Sequence, residues 1–194
     1  MKLLLHTCCG PCLIYPVQFL RHGCDYDYDI TSFFYNPNIH PYKEFKRRLE
    51  AVYTFCDDAA IPLIAHRDYG LKGYLRKVVF NEEERCPLCY EMRLDHAAAY
   101  AGANGYPFFS TTLLYSRYQN HENIKKLCYR LADRYGIGFV YHDFRTGWQQ
   151  GIDASIAKGL YRQAYCGCIY SEQERYDNRL KKRLRSNTTN SSQR

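Results

Sequence analysis

Seven of the ten cysteines in this sequence lie in three short groups. The groups are Cys8-Cys9-x-x-Cys12, Cys86-x-x-Cys89 and Cys166-x-Cys168. The turn of a CxxC motif brings two sulfurs to one side, where their thiolates can bind one metal or form a disulfide. Two such pairs on separate elements favour a metal site. An iron–sulfur cluster is favoured over zinc, because more than four thiols are available. The remaining Cys24, Cys56 and Cys128 are predicted to be small buried hydrophobes.

The third cysteine group differs because only one residue separates its thiols. A disulfide between Cys166 and Cys168 would be strained, so that it opens and closes readily. Gly167 gives the backbone the freedom that such a turn needs. A redox-active dithiol and a set of ligands for a second metal both fit this pattern.

Hydrophobic periodicity predicts alternating strands and helices around these groups. Strands are expected at 2–6, 30–35, 61–66, 108–114 and 138–142, and helices at 13–21, 41–60, 86–101 and 122–135. This order favours an α/β protein with a mainly parallel, doubly wound sheet. Ligands of open α/β sheets bind at the carboxyl ends of the strands, where the first cysteine group lies. Because Cys86 and Cys89 begin another helix, the fold can aim both groups at one point.

The composition is that of an ordinary globular protein. The 194 residues are 46% hydrophobic and 24% charged, which excludes disordered and fibrous classes. No apolar run approaches the roughly 20 residues of a membrane span, and the first residues are too short an apolar stretch for a secretory signal. We therefore expect a cytoplasmic protein without a membrane partner. Cytoplasmic thiols stay reduced, so ten cysteines call for metal or thiol chemistry.

The end of the chain has a distinct composition. Residues 1–171 are predicted to form one metal-binding domain, followed by a basic, partly disordered tail at 172–194. From Ser171 onward there are seven Lys or Arg and three Asp or Glu, within a chain of net charge +7. The run Arg179–Arg185 fits either the solvated face of a helix or an electrostatic footprint for RNA.

Four segments together resemble a known family. They are LLLHTCCGPC, RCPLCYEMRL, FFSTTLLYSRYQNHENI and GLYRQAYCGCIYS, and the resemblance covers residues 2–171. The chain resembles the cobalamin-independent epoxyqueuosine reductases of the QueH type. This resemblance implies reduction of the epoxide of epoxyqueuosine, at the wobble position of the tRNA anticodon, in the last step of queuosine synthesis. It also implies a 4Fe-4S cluster and an additional mononuclear iron as cofactors.

The resemblance further implies roles for the cysteines. Cluster ligands are implied at Cys8, Cys9, Cys86 and Cys89, a second-metal ligand at Cys12, and a catalytic redox pair or second-metal ligands at Cys166 and Cys168. Converting an epoxide to an alkene needs two electrons and two protons, which zinc cannot supply because it has no redox chemistry. No flavin or nicotinamide motif is present, so the electron donor is a separate partner that the sequence does not identify.

Binding of tRNA would account for the many aromatic residues. The chain has twenty tyrosines and ten phenylalanines, and unstacked bases pack on aromatic faces and Arg planes. Arg117, Tyr118 and Asn120, with Gln119 between them, follow the fourth predicted strand and are predicted to bind substrate. Four side chains near predicted strand ends are candidate proton donors: His6, Tyr115, Asp143 and Arg145.

The element order also resembles the adenine-nucleotide α-hydrolase-like fold. That group carries a Gly-Gly-Ser-rich pyrophosphate loop, whereas the equivalent turn here reads TCCGPC, so ATP use is not expected. Two rival functions fit the same residues. They are a zinc-stabilised nucleic-acid-binding module and a thiol–disulfide oxidoreductase.

Overall fold

The computed structural model describes residues 1–177 and residue 182, and its centre is a five-stranded parallel sheet. The strands are β1 (Lys2–His6), β2 (Asp29–Phe34), β3 (Leu63–Ala65), β4 (Phe108–Thr111) and β5 (Gly138–Phe139). Their order is β3-β2-β1-β4-β5, and every pair is parallel. This confirms the predicted α/β class with a doubly wound parallel sheet.

Helices flank this sheet in the described part of the chain. They are α1 (Gly10–His22), α2 (Tyr42–Asp58), α3 (Leu71–Val78), α4 (Arg85–Ala103), α5 (His121–Tyr135) and α6 (Trp148–Ala157), and residues 169–177 are also helical. The sequence pattern did not predict α3 and α6. Each is short and contains a glycine, Gly73 or Gly151, which lowers helix propensity. Both are therefore weak signals in the sequence.

The fourth strand is shorter than predicted. It ends at Thr111 rather than at Leu114, because a 3-10 turn begins there. The Thr111 hydroxyl accepts a hydrogen bond from the backbone N–H of Leu113 at 3.1 Å, which caps that turn. The polar residues after β4 therefore turn toward the end of β1 instead of continuing the sheet.

The central strand β1 determines where a ligand can bind. Its residues Leu3, Leu4 and Leu5 are completely buried, as expected of a parallel strand that is covered on both faces. The strand order reverses at β1, which pairs with β2 on one side and β4 on the other. The crevice outside the carboxyl ends of β1 and β4 is thus the switch point at which doubly wound proteins bind ligands.

The last described residues cross the predicted start of the tail. The helix at 169–177 continues beyond residue 171. The basic run 179–185, apart from Lys182, and the segment 186–194 lie outside the described residues, so their predicted properties stay predictions. Among the described helices, none combines the length and apolar character that crossing a bilayer would require.

We predict that Gly10→Ala destabilises the fold at the start of α1. A Cβ atom at Gly10 would lie 2.4 Å from the Ala51 carbonyl oxygen in α2, so the two helices would have to separate. Overpacking of this kind costs about 1–3 kcal/mol of unfolding free energy. Urea denaturation measures the difference from the parent protein.

The control is Gly73→Ala in α3, where an added Cβ meets nothing within 4 Å. This change should raise the unfolding free energy by about 0.5–1 kcal/mol, because alanine loses less backbone entropy than glycine. Equal effects of the two substitutions would contradict the close packing of α1 on α2.

Candidate metal centre

The first cysteine group forms a compact triad directly after β1. The Sγ atoms of Cys8, Cys9 and Cys12 lie within 4.8 Å of one another. Cys9 Sγ is 3.8 Å from Cys8 Sγ and 2.8 Å from Cys12 Sγ. Two thiolates about 2.3 Å from one tetrahedral metal ion lie roughly 3.8 Å apart. Cys8 and Cys9 match this separation, and a shift of about 1 Å of Cys12 Sγ away from Cys9 would let the triad bind a single metal ion.

Neighbouring elements fix the position of this triad. Cys9 is the N-cap residue of α1, and its side chain makes no capping hydrogen bond. The start of a helix stabilises thiolate charge, because its free N–H groups point toward it. From the adjoining strand end, Thr112 accepts the backbone N–H of Cys8 at 3.2 Å and donates its hydroxyl to Cys8 Sγ at 3.4 Å. The pairing of β1 with β4 therefore sets the geometry of the triad.

The three thiols differ in acidity. Hydrogen bonds from the Cys12 and Cys9 thiols hold the pKa of Cys8 well below its usual value, against the effect of burial. The same contacts raise the pKa of Cys12, and burial raises the pKa of Cys9. Cys8 is therefore the most acidic thiol of the triad.

The second and third cysteine groups meet on the other side of this crevice. Cys86 and Cys89 lie in the first turn of α4, and Cys89 packs with Cys168 in one buried cluster. Burial raises the pKa of Cys89 to about 12, and the neighbouring charges of Cys166 and Cys168 add to this effect. Cys86 and Cys166 are exposed. We call these four thiols the cysteine quartet; it has two buried and two exposed members.

A buried arginine of α2 holds the loop of the CxC motif. Arg48 is 1% exposed and donates to the carbonyl oxygens of Cys166 at 2.7 Å and Tyr165 at 3.0 Å. Its Nε donates to Glu44 Oε1 at 2.7 Å, so the charge is paired. The other charged residues of α2 are exposed, whereas Arg48 and Glu44 are buried. An Arg at i+4 from a Glu is the signal that could have identified this buried pair.

A second buried arginine lies between the triad and the quartet. Arg93 in α4 donates to Asn36 Oδ1 at 2.6 Å and approaches Cys89 Sγ at 3.9 Å. Within residues 1–177 it has no carboxylate partner. Burial lowers its pKa, but the charges of Cys89 and Cys8 raise it more, so Arg93 stays cationic. Negative charge on the thiols of both groups, as in metal-bound thiolates, would therefore balance this cation.

Two glutamines donate hydrogen bonds to sulfur. Gln119 Nε2 lies 3.0 Å from Cys166 Sγ, and Gln163 Nε2 lies 3.5 Å from Cys12 Sγ. Gln119 follows the 3-10 turn after β4, in the segment predicted from sequence to contact substrate. The glutamine of that segment is therefore placed directly against a candidate functional thiol.

The three predicted substrate-binding residues have different surroundings. The Arg117 guanidinium stacks over the Trp148 ring at 4.4 Å, and Tyr118 is 85% exposed. Asn120 is the N-cap of α5, where its side chain accepts the backbone N–H of Asn123 at 3.1 Å. Asn120 therefore has a structural role here, and the substrate-binding role of all three residues stays a prediction.

The predicted proton donors are occupied by structural contacts. His6 is completely buried and contacts Thr111 Oγ1 at 2.9 Å, and burial lowers its pKa to about 3. Asp143 pairs with Arg145, which lowers the pKa of Asp143 to about 2. Tyr115 donates to the Trp148 carbonyl oxygen at 2.8 Å. At neutral pH, His6 is therefore neutral and Asp143 has already lost its proton.

The isolated cysteines divide into two kinds. Cys56 and Cys128 belong to the main hydrophobic core, as predicted. Cys24 is only half-buried, so the prediction is wrong for this residue. Cys24 follows the end of α1, where its thiol contacts the carbonyl oxygens of Leu20 and Tyr26.

Fold and site together define a cysteine-rich α/β protein whose switch-point crevice can bind metal. The chain belongs to the epoxyqueuosine reductase QueH family, whose family model matches residues 3–174. It is 37% identical over 175 residues to epoxyqueuosine reductase QueH of Dehalococcoides mccartyi, covering 90% of this chain and 94% of the relative. Similar relatives with the same description come from Acinetobacter baylyi, at 38% identity over 88% of this chain and 80% of the relative, and from Thermotoga maritima, at 33% over 89% and 91%.

We predict that Arg48→Met lowers the unfolding free energy by about 3–5 kcal/mol, because it leaves the buried Glu44 carboxylate without its partner. The control is Lys46→Met in the same helix, which breaks the exposed ion pair with Glu50. This change should cost less than about 1 kcal/mol. Urea denaturation of both variants tests the pair, and equal effects would show that the Arg48 pair contributes no more than an exposed one.

We also predict that His6 makes the metal-free protein sensitive to acid. Its folded pKa of about 3 lies below the value of about 6.5 in an unfolded chain, so its contribution is intact above pH 6.5. As the pH falls further, the unfolded state takes up a proton first and stability declines. His6→Gln should flatten this decline. Urea titrations at several pH values measure it, and an unchanged slope contradicts the role of His6.

Proposed function

We propose that this protein is an epoxyqueuosine reductase acting on tRNA. The reaction converts the epoxide of epoxyqueuosine to the alkene of queuosine; it consumes two electrons and two protons and releases the oxygen as water. The observation that carries the proposal is the meeting of seven thiols at the switch-point crevice in a chain of the QueH family. Because the substrate is a tRNA, we place the reaction in the cytoplasm.

We assign the cysteine quartet to a 4Fe-4S cluster and the triad to a mononuclear iron. Four thiolates are the usual ligand set of such a cluster, and the quartet offers Cys86, Cys89, Cys166 and Cys168 from two neighbouring segments. The short distances within the triad suit one metal ion. The division expected from sequence instead paired Cys8 and Cys9 with Cys86 and Cys89. The packing of Cys89 with Cys168 supports the new division.

When bound, the cluster would supply single electrons and the iron would act as a Lewis acid toward the epoxide oxygen. The protein's own residues hold these centres at one crevice. Arg93 balances charge between the thiol groups, and Arg48 fixes the loop of Cys166. An external one-electron donor completes the proposed reaction.

The exposed side of the quartet is where we expect the wobble nucleotide to bind. Cys86 and Cys166 are exposed there, and Gln119 contacts the thiol of Cys166. Tyr118 lies next to Gln119 in the segment after β4. Its ring is mostly exposed, so an unstacked base can pack on it. The Arg117 guanidinium stacks on Trp148 through its face, so its N–H groups remain available to a phosphate.

Single Cys→Ser variants, prepared without oxygen, test the division of the thiols. We expect Cys168→Ser to lose both iron and acid-labile sulfide, because it removes a cluster ligand. Cys9→Ser should lose iron but keep sulfide. Both should reduce conversion of epoxyqueuosine in tRNA, with a chemical reductant, by more than about 100-fold, since loss even of outer-sphere partners can cost that much.

The matched control is Cys24→Ser, which changes a thiol outside both groups and should keep metal, sulfide and activity. Loss of sulfide in Cys9→Ser, with sulfide retained in Cys168→Ser, would contradict the new division and support the one expected from sequence. If Cys168→Ser keeps iron and sulfide but loses activity, Cys166 and Cys168 act as a redox pair instead. A parent protein that binds zinc and converts no substrate would exclude the reductase function.

A further inference from the structure

A cluster of buried polar side chains lies beneath the loop of Cys166 and Cys168. Asn38, His40 and Tyr74 are each at most 1% exposed. Among the described residues, Asn38 Oδ1, both ring nitrogens of His40 and the Tyr74 hydroxyl make no well-aligned hydrogen bond, although Cys168 lies close to Tyr74 and the Pro37 backbone close to His40. Buried polar groups in folded proteins are nearly always hydrogen-bonded, so such a concentration of unpaired atoms calls for an explanation.

Tyr74 lies against the cysteine quartet. It points inward from α3 together with Val78, one helical turn later, and both pack with Cys89 and Cys168. A phenol hydroxyl is protonated at neutral pH, so it can donate a hydrogen bond to a neighbouring sulfur.

His40 connects this tyrosine to the loop. Its backbone N–H donates to the Gly167 carbonyl oxygen at 2.8 Å, and its own carbonyl oxygen accepts the Tyr165 hydroxyl at 2.6 Å. Its ring centroid lies 5.1 Å from that of Tyr74. Burial lowers the pKa of His40 to about 4, so the ring is neutral at pH 7. A displacement of the loop would therefore also move the ring that packs against Tyr74.

We propose that Tyr74 is a positioning residue whose hydroxyl donates a hydrogen bond to the Cys168 sulfur when the quartet holds its cluster, with His40 packed against its ring. This inference rests on the proposed function for the presence of a cluster. It adds Tyr74 as a residue that adjusts how easily that cluster is reduced. A hydrogen bond withdraws electron density from a ligand sulfur, which stabilises the reduced, more negative cluster. Tyr74 thus makes the cluster easier to reduce.

The proposed role has opposite consequences for the two forms of the protein. In the metal-free protein, Tyr74→Phe removes a buried hydroxyl that makes no well-aligned hydrogen bond, so thermal stability stays equal or rises. In the loaded protein, the same change removes a hydrogen bond to sulfur. The midpoint potential of the cluster should then fall, and iron should be lost faster to a chelator. A role in packing alone would not produce this reversal.

The test compares parent, Tyr74→Phe and Tyr69→Phe proteins, each reconstituted anaerobically with iron and sulfide and titrated by spectroelectrochemistry without tRNA. Tyr69 is the matched control, because its ring lies 5.4 Å from that of His40 but packs against the main core instead of the quartet. We expect a lower midpoint potential in Tyr74→Phe and the parent value in Tyr69→Phe.

Each other outcome contradicts the proposal. An unchanged potential in Tyr74→Phe, or equal shifts in both variants, overturns the role of Tyr74 and leaves the proposed function intact. A metal-free Tyr74→Phe protein that unfolds at a lower temperature than the parent shows a packing role instead. A parent protein that takes up no iron and sulfide overturns the proposed cofactor together with this inference.

Discussion

The buried charge of Arg93 is the constraint on which the rest of the site depends. A guanidinium inside a protein needs an anionic partner, and within residues 1–177 none of the carboxylates pairs with Arg93. Its neighbours are instead the thiols of Cys89 and Cys8, which belong to different cysteine groups. Negative charge on these sulfurs would therefore stabilise the folded crevice. Binding of a metal by deprotonated thiols would maintain that charge.

The sheet places the thiols around this cation. Because the strand order reverses at β1, the turn after β1 carries Cys8, Cys9 and Cys12 into the crevice, next to the end of β4. The first turn of α4 brings Cys86 and Cys89 to the same side. Arg48 then fixes the CxC loop through two backbone carbonyl oxygens. Residues from distant parts of the chain thus form one site without any disulfide among the described residues.

Much of this arrangement follows from the sequence. The alternation of strands and helices predicts the class of sheet. The Gly and Pro residues next to the cysteine groups predict that these groups lie at the ends of strands and helices. The missed elements, α3 and α6, are short helices containing Gly73 and Gly151, whose local signal is weak. Tyr74 could not be assigned a role without α3, since its contact with Cys168 joins segments far apart in the chain.

The site could be predicted only in part, because it depends on contacts between residues that are far apart in the chain. Arg48 belongs to a helix whose charged residues suggest an exposed face, and only its contact with the CxC loop shows why it is buried. The proposed division of the thiols into triad and quartet likewise rests on packing, because spacing along the chain fits both divisions. By contrast, the position of Gln119 at the carboxyl edge of the sheet could be predicted, since residues that follow parallel strands reach one common edge.

The most direct test of the central claim is the ratio of iron to acid-labile sulfide in the parent protein, purified without oxygen and measured together with its visible spectrum. One 4Fe-4S cluster in the quartet and one iron in the triad predict about five iron atoms and about four sulfide ions per chain, with the absorbance of a cluster. A colourless protein that contains zinc and no sulfide would contradict the account.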